Sequence, residues 1–386
     1  MSFFRDLSAS AATAGLVSVL VGVTSSIAVI FQAAQALGAN AAQLASWLLV
    51  LGLGMGVPGI VLSLRYRQPV MVAWSTPGAA LIAVTSGYSL PEATGAFLFS
   101  GVLIVLAGTT GWFERMIDRI PLALAAALLA GVLTRFALEG VMAARTAPML
   151  VLAMFAAYLL ARRAVPRYAM LAVLVVGIGI AAVQDSINLD ALQWGIAWPQ
   201  WVSPQWSWNA IVGLGLPLWI VTMASQNLPG VAAIRTNGYD MPISPLITAT
   251  GVATLLLAPF GAFALNLSAI TAAICLGPEA DPDRARRYTA AVVSGSLYAL
   301  LGLSGAALAG VLIAFPTPLV AAIAGLALIT TIASGLATAM NDESHRDPAL
   351  LTFLVTLSGV SFFGIASAFW GIVAGVIAIA VQRRRT

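Results

Sequence analysis

The stretch Pro69-Val-Met-Val-Ala-Trp-Ser-Thr-Pro-Gly78 lies in a hydrophobic region long enough to cross a membrane, yet it makes a poor helix. Pro69 and Pro77 donate no backbone hydrogen bond, and each pushes the residue before it toward extended geometry. Val70, Val72 and Trp74 between them suit a strand. Thr76 is then a good N-cap, Pro77 is favoured as a first helical residue, and Ala79, Ala80, Leu81 and Ile82 continue a helix. This order predicts a short extended segment followed by a half-helix that begins inside the membrane. Irregular backbone at that depth survives only where it is buried in protein or lines a cavity. Ser75, Thr76, Pro77 and Gly78 therefore form the first candidate ligand site.

Composition agrees with a membrane setting. The 386 residues are 60% hydrophobic and 8% charged, against about a quarter charged in soluble domains. The expected class is an all-α polytopic membrane protein. The net charge of +4 comes from arginines scattered in short loops, so no nucleic-acid partner is expected. A single cysteine, Cys275, excludes an intrachain disulfide. Arg5 and Asp6 precede the first apolar run, and no small-residue cleavage site follows it. That pattern indicates a retained span rather than a signal peptide.

Hydropathy and helix breakers divide the chain into fourteen segments, with the third (70–87) and tenth (262–276) broken by short extended stretches. Arginine placement tests this count. All but Arg135 and Arg145 of the eighteen arginines then fall on one side. By the positive-inside rule that side is cytoplasmic and holds both termini. The external loop near 185–207, with Trp194, Trp198, Trp201 and Trp206, fits an interfacial aromatic belt and separates two halves of seven segments. An odd number per half makes the second half enter the membrane in the opposite sense, as in inverted-repeat carriers. Pro259-Phe-Gly-Ala-Phe-Ala-Leu-Asn-Leu-Ser268 then answers Pro69–Gly78 at an offset of 190 residues, aligning Asn266 with Thr76 as a second N-cap. Two opposed half-helices would meet near the midplane with free N–H groups and partial positive charge. A carboxylate is a natural ligand of such a cradle, formed by Thr76–Gly78 and by Asn266, Leu267 and Ser268.

Other constellations are thinner. Ser225-Gln-Asn227 lies near the end of the eighth segment, and Gln226 and Asn227 can donate to an oxygen or brace neighbouring helices. Thr24 and Ser25 on the first segment are minor candidates, and Phe31 and Phe263 are expected wall residues. With one histidine, one cysteine and no phosphate-binding loop, no metal, no cofactor and no enzymatic activity are expected. Pro278–Arg287 is read as a solvated loop whose mixed charges could latch a gate. Glu139 is read as the ion-pair partner of Arg135 one turn away. Any proton moving with a carboxylate ligand would then ride on the ligand's own carboxyl.

The motifs Trp74-Ser-Thr-Pro-Gly-Ala-Ala80, Met223-Ala-Ser-Gln-Asn-Leu-Pro-Gly230, Ala269-Ile-Thr-Ala-Ala-Ile274 and Ser367-Ala-Phe-Trp-Gly371 resemble the BenE family of bacterial benzoate/proton symporters. The likeness spans nearly the whole chain. It implies the fold shared with the UraA-like nucleobase permeases. A core domain would comprise 1–119 and 208–314, a gate domain 120–185 and 315–386, with the Trp-rich loop 186–207 between the two halves. It further implies proton-coupled import of benzoate or a similar aromatic carboxylate across the bacterial inner membrane by a homodimer with elevator-like motion. In the nucleobase relatives, carboxylates on segment 8 and at the start of segment 10 handle substrate. The matching region here offers Ser225, Gln226 and Asn266, which suits a ligand that acids would repel. A carrier of nucleobase-like rings or other organic anions, and an anion channel, are the remaining alternatives.

Overall fold

The structure, a computed structural model, describes the chain except residues 1, 86, 112–121, 165–168, 192–194, 269, 279, 361, 364–366 and 383–386. The side chains of a few further helical residues, Thr24 and Ser25 among them, lie outside the described part. In chain order the main elements are α1 (Ser2–Asp6), α2 (Ala9–Ala36), α3 (Ala41–Tyr66), β1 (Val72–Trp74), α4 (Thr76–Val84), α5 (Leu90–Thr109), α6 (Leu122–Met142), α7 (Pro148–Ala164) and α8 (Ala169–Val183). After the long connection come α9 (Trp208–Arg235), α10 (Ile243–Leu257), β2 (Leu265–Leu267), α11 (Ile270–Leu276), α12 (Tyr288–Leu303) and α13 (Gly305–Ala314). The chain closes with α14 (Thr317–Asn341), α15 (Arg346–Ser358) and α16 (Ser367–Gln382). Seven of the described helices are long and apolar enough to cross a membrane, and α12 and α13, bent by 68° at Ser304, make up to eight.

Local chemistry sets the boundaries. Asn40 and Gln43 build a reciprocal capping box on α3, and Ser89 and Glu92 build another on α5. Such boxes satisfy N–H groups that a helix end leaves without partners. Two π turns, Ile211–Gly215 and Met223–Asn227, interrupt α9. Pro217 and Pro229 follow them closely and withhold the donors that regular turns would use.

Two groups of helices are evident. In one, α3 packs on α12, α5 on α10, and α2 on both α4 and α12. In the other, α6 packs on α14 and α15, α7 on α8, and α15 on α16. The α3–α12 contact depends on small residues: a Cβ at Gly52 would lie 2.7 Å from Gly302 Cα, and one at Gly56 would lie 2.4 Å from Gly295 O. Close backbone approach of this kind lets helices associate where lipid offers no hydrophobic contrast.

The connection before α9 is an extended strap. Ala197 N donates to Leu303 O, Gln200 N to Ser46 Oγ, Val202 N to Pro259 O and Gln205 N to Pro91 O, at 2.8–3.1 Å. Its backbone is thus tied in turn to α12, α3, the turn after α10 and α5. Trp198, Trp201 and Trp206 remain exposed on it.

Candidate functional site

The centre of the fold is the pair β1–β2. The strands run antiparallel with Val72 opposite Leu267, Ala73 opposite Asn266 and Trp74 opposite Leu265. Two strands of three residues are too short to hold together alone, and here side chains close the ladder. Leu267 N donates to Asn227 Oδ1 at 2.9 Å, and Leu265 N donates to Thr254 Oγ1 at 2.9 Å. Ser268 N donates to Met71 O at 2.8 Å, extending the pairing by one bond. In hydrocarbon each unpaired backbone group would cost several kcal/mol, so Asn227 and Thr254 are what make β2 tenable.

The register sorts the side chains onto two faces. Val72, Trp74, Leu265 and Leu267 share one. Trp74 Nε1 donates to Ser26 Oγ on α2 at 2.9 Å, and its ring meets Tyr298 at 6.0 Å. The void beside Trp74, lined also by Val23, Ile27 and Tyr298, measures about 10 Å³, room for a single water at most. Ala73 and Asn266 share the other face. Ala73 and Thr76 are the only accessible positions between Pro69 and Ile82. The Ala73–Asn266 face is thus the one with a partly exposed residue, Ala73, while Asn266 on it is buried.

Ser75, not Thr76, caps α4: its Oγ accepts from Gly78 N at 3.0 Å, and Thr76 is the first helical residue. The reason is Pro77, which has no N–H, so the donor three residues on from Ser75 is the one that needs an acceptor. Thr222 Oγ1 on α9 donates to the same Ser75 oxygen at 2.9 Å. A Cβ at Gly78 would stand 2.6 Å from Leu218 Cδ1, so α9 passes too close for a larger residue. Among the described residues the Thr76 N–H at this helix end has no hydrogen-bond partner.

Asn266 likewise differs from the expected N-cap, because it sits in the middle of β2 and α11 starts at Ile270. It is fully buried; Nδ2 donates to Ala264 O at 2.9 Å, while Oδ1 is buried without a hydrogen-bond partner. An orphaned acceptor of that kind costs about 1–3 kcal/mol. Ala264 holds φ at +39°, a left-handed conformation that a non-glycine residue retains only where its surroundings enforce it.

The second π turn of α9 brings the remaining candidates together. Asn227 is fully buried and braces Leu267, with Nδ2 directed at Met223 Sδ at 3.1 Å. Gln226 is buried beside it, and its amide makes no hydrogen bond to the described residues. Ser225 Oγ is committed to Val221 O. Ser268 Oγ and Thr271 Oγ1 bond each other at 2.6 Å across the start of α11. Phe263 belongs to an aromatic cluster with Trp47 and Phe97, at centroid distances of 5.6 and 6.0 Å, and so serves packing. Thr24 and Ser25 lie outside the described side chains. The bracing roles of Thr222, Thr254 and Ser26 are not expected from the sequence, where a hydroxyl in an apolar helix does not show which partner it meets.

The charged groups lie elsewhere. The loop Pro278–Arg287 is exposed at 278 and 282–286, as expected of a solvated loop, but Asp281 and Arg287 are buried: Arg287 Nε donates to Asp281 O at 2.7 Å and Nη1 to Leu276 O at 2.9 Å. Arg287 thereby caps the C-terminus of α11, where a cation is favoured. Ser8 Oγ donates to Asp281 Oδ2 at 2.6 Å. Nearby, Arg67 Nη1 and Tyr288 Oη donate to Asp6 Oδ2 at 3.0 and 2.8 Å. The Tyr288 hydroxyl, and then the Arg67 guanidinium, hold the Asp6 carboxyl below its usual range. Among the described residues no Arg135–Glu139 ion pair forms within 4 Å. The Arg135 guanidinium instead lies against Gly359, the left-handed cap of α15.

Two helix groups around a short strand pair, with at least seven helices able to cross a membrane, make this an integral membrane protein of the transporter class that its likenesses to known proteins define. The fold is that of the transmembrane domain of a cyanobacterial bicarbonate transporter, BicA, at TM-score 0.65 and 13% identity over 98% of each chain. It is also that of SLC26A9, at TM-score 0.63 and 13% identity over 96% of this chain and 65% of that one. The chain belongs to the BenE family, described as benzoate membrane transport protein, which it matches over residues 5–381. It is 44% identical to the inner membrane protein YdcO of Escherichia coli (strain K12), over 95% of this chain and 94% of that one. It is 39% identical to a benzoate membrane transport protein of Acinetobacter baylyi (strain ATCC 33305 / BD413 / ADP1), over 97% and 95%.

Proposed function

We propose that this protein is a secondary active transporter that imports benzoate, or a similar aromatic carboxylate, together with a proton across a bacterial inner membrane. The observation that carries this is the accessible face of the strand pair. On that face Asn266 stands opposite the partly exposed Ala73, Thr76 follows just beyond β1, and the Met223–Asn227 turn that carries Gln226 packs on β2, in a chain 39% identical to a benzoate membrane transport protein. Thr76, Pro77, Gly78, Gln226 and Asn266 contact the substrate. Ser75, Asn227, Leu267 and Ser268 hold those groups in place, and Thr24 and Ser25 on α2 are further candidate contacts.

The span count supports the same reading. With β1–α4 and β2–α11 each taken as one broken span, and α12–α13 as one bent span, the elements from α2 to α16 make fourteen. The two halves are then inverted repeats, and both termini are cytoplasmic. The helix groups correspond to a core domain (1–119 and 208–314) and a gate domain (120–185 and 315–386), and the core moves against the gate in an elevator-like cycle within a homodimer.

The test is uptake of radiolabelled benzoate into proteoliposomes, compared with protein-free liposomes. Saturable accumulation driven by an inward proton gradient is expected, and other aromatic carboxylates compete. Displacement by uracil or xanthine but not by benzoate identifies a nucleobase carrier instead. Equilibration without accumulation identifies a channel.

A further inference from the structure

We infer that the substrate is bound as the neutral carboxylic acid, with its proton donated to Asn266 Oδ1. This rests on the aromatic carboxylate reading above and names the carrier of the proton. The side chain's orientation is fixed by its neighbour. Whichever terminal atom of Asn266 faces the Ala264 carbonyl must be the NH2 group, since two acceptors would repel. The 2.9 Å bond to Ala264 O therefore leaves an oxygen on the other branch, and that oxygen is buried and without a partner.

Asn266 stands directly across from Ala73, the accessible residue of β1, and on the same face. A carboxylate anion offers that oxygen only further acceptors. A carboxylic acid offers one O–H donor to Asn266 Oδ1, while its carbonyl oxygen accepts from the Thr76 N–H or the Gln226 amide. The ligand's donor and acceptor are thus both matched, and no protein carboxylate is needed.

Among the described residues, the segments packed most closely on β2 carry no carboxylate or histidine. The segments packed most closely on β2 are β1, α3, the Met223–Asn227 turn and α10. Only α3 among them bears titratable groups, Arg65 and Tyr66 at its C-terminal end. Each import cycle then moves one carboxylate and one proton together, and is electroneutral. The proton is acquired from water on one side and released on the other when the acid leaves the site.

The test is equilibrium binding of radiolabelled benzoate to the purified full-length protein between pH 6 and 8. The ligand's own pKa is about 4, as for other carboxyls, so the acid fraction falls tenfold per pH unit throughout. The expected result is an apparent Kd that rises tenfold per unit without a plateau. Benzamide, which presents an N–H donor and a carbonyl at any of these pH values, should displace benzoate with a pH-independent Kd. Asn266→Leu should weaken benzoate and benzamide at least tenfold at pH 6.

A benzoate Kd independent of pH, or failure of benzamide to compete, overturns the inference, as does undiminished binding by the Leu variant. A plateau inside the window assigns the proton to a protein group and also overturns it. The pH series and the benzamide competition use the unaltered chain, so a misfolded variant does not shield the inference. Absence of benzoate binding at every pH refutes the carboxylate reading itself, and is distinct from binding without pH dependence.

Discussion

Replacing Asn227 with Leu isolates the bond that holds β2 in place. The side chains are close in size, and Asn227 is fully buried, so little space is opened. What is lost is the acceptor for Leu267 N at 2.9 Å and a weak contact to Met223 Sδ. The buried Leu267 N–H then loses its hydrogen-bond partner, at about 1–3 kcal/mol. At 1.4 kcal/mol per factor of ten, opening of the β2 edge becomes roughly 5- to 150-fold more frequent. Hydrogen exchange read by mass spectrometry on a peptide covering Leu265–Ser268 measures this opening. Protection there should fall by that factor, while the capped start of α5 stays unchanged. Benzoate uptake should fall too, because the strand that carries Asn266 is no longer fixed. Wild-type protection at Leu267 in a folded Asn227→Leu protein would refute the claim that this amide is what secures the strand.

Three further outcomes follow. Gly261 holds φ at +110°, and a Cβ there would stand within 2 Å of the Trp47 ring, so Gly261→Ala should cost several kcal/mol through strain and overpacking. Thermal unfolding in detergent should show a large loss of stability, and an unchanged midpoint would contradict the packing described. At Asp6 the folded pKa is depressed, so its contribution is present above the ordinary value of 3.8 and is lost as pH falls through the lowered value. Tyr288→Phe should therefore be less stable than wild type at neutral pH, and the gap should narrow below about pH 4; a gap constant with pH would separate Tyr288 from Asp6 ionisation. Glu139→Gln should leave proton-driven uptake intact, and loss of proton dependence with binding retained would assign Glu139 a coupling role.

The sequence exposes the irregular stretches through proline, which withholds a backbone donor: Pro69 precedes β1, Pro77 sits in the first turn of α4 and Pro259 follows the end of α10. It does not expose which hydroxyl caps. Ser75 and Thr76 are near-equivalent by propensity, and the approach of Thr222, 147 residues from Ser75, decides between them. The part played by Thr254 is invisible for the same reason. A lone threonine in an apolar helix reads as packing until the strand edge that it satisfies has been folded beside it. The loop 278–287 misleads in the other direction: its charges resemble a solvated surface, yet Arg287 is buried as a cap for α11. Composition records how much charge a segment has, and not whether backbone carbonyls are waiting to receive it.

The alternation of faces along β2 also constrains how the gene can vary. Deleting one residue between the end of α10 and Leu265, with the first strand N–H still held by Thr254, would shift the strand by a single position and put Leu267 where Asn266 now stands. A one-residue shift in a strand reverses every side chain, so the coding sequence around Ala262–Ala264 should tolerate substitutions far better than single-codon insertions or deletions. Length in this segment is itself an inherited specificity element, and relatives that differ in cargo are expected to keep it while exchanging the residue at position 266.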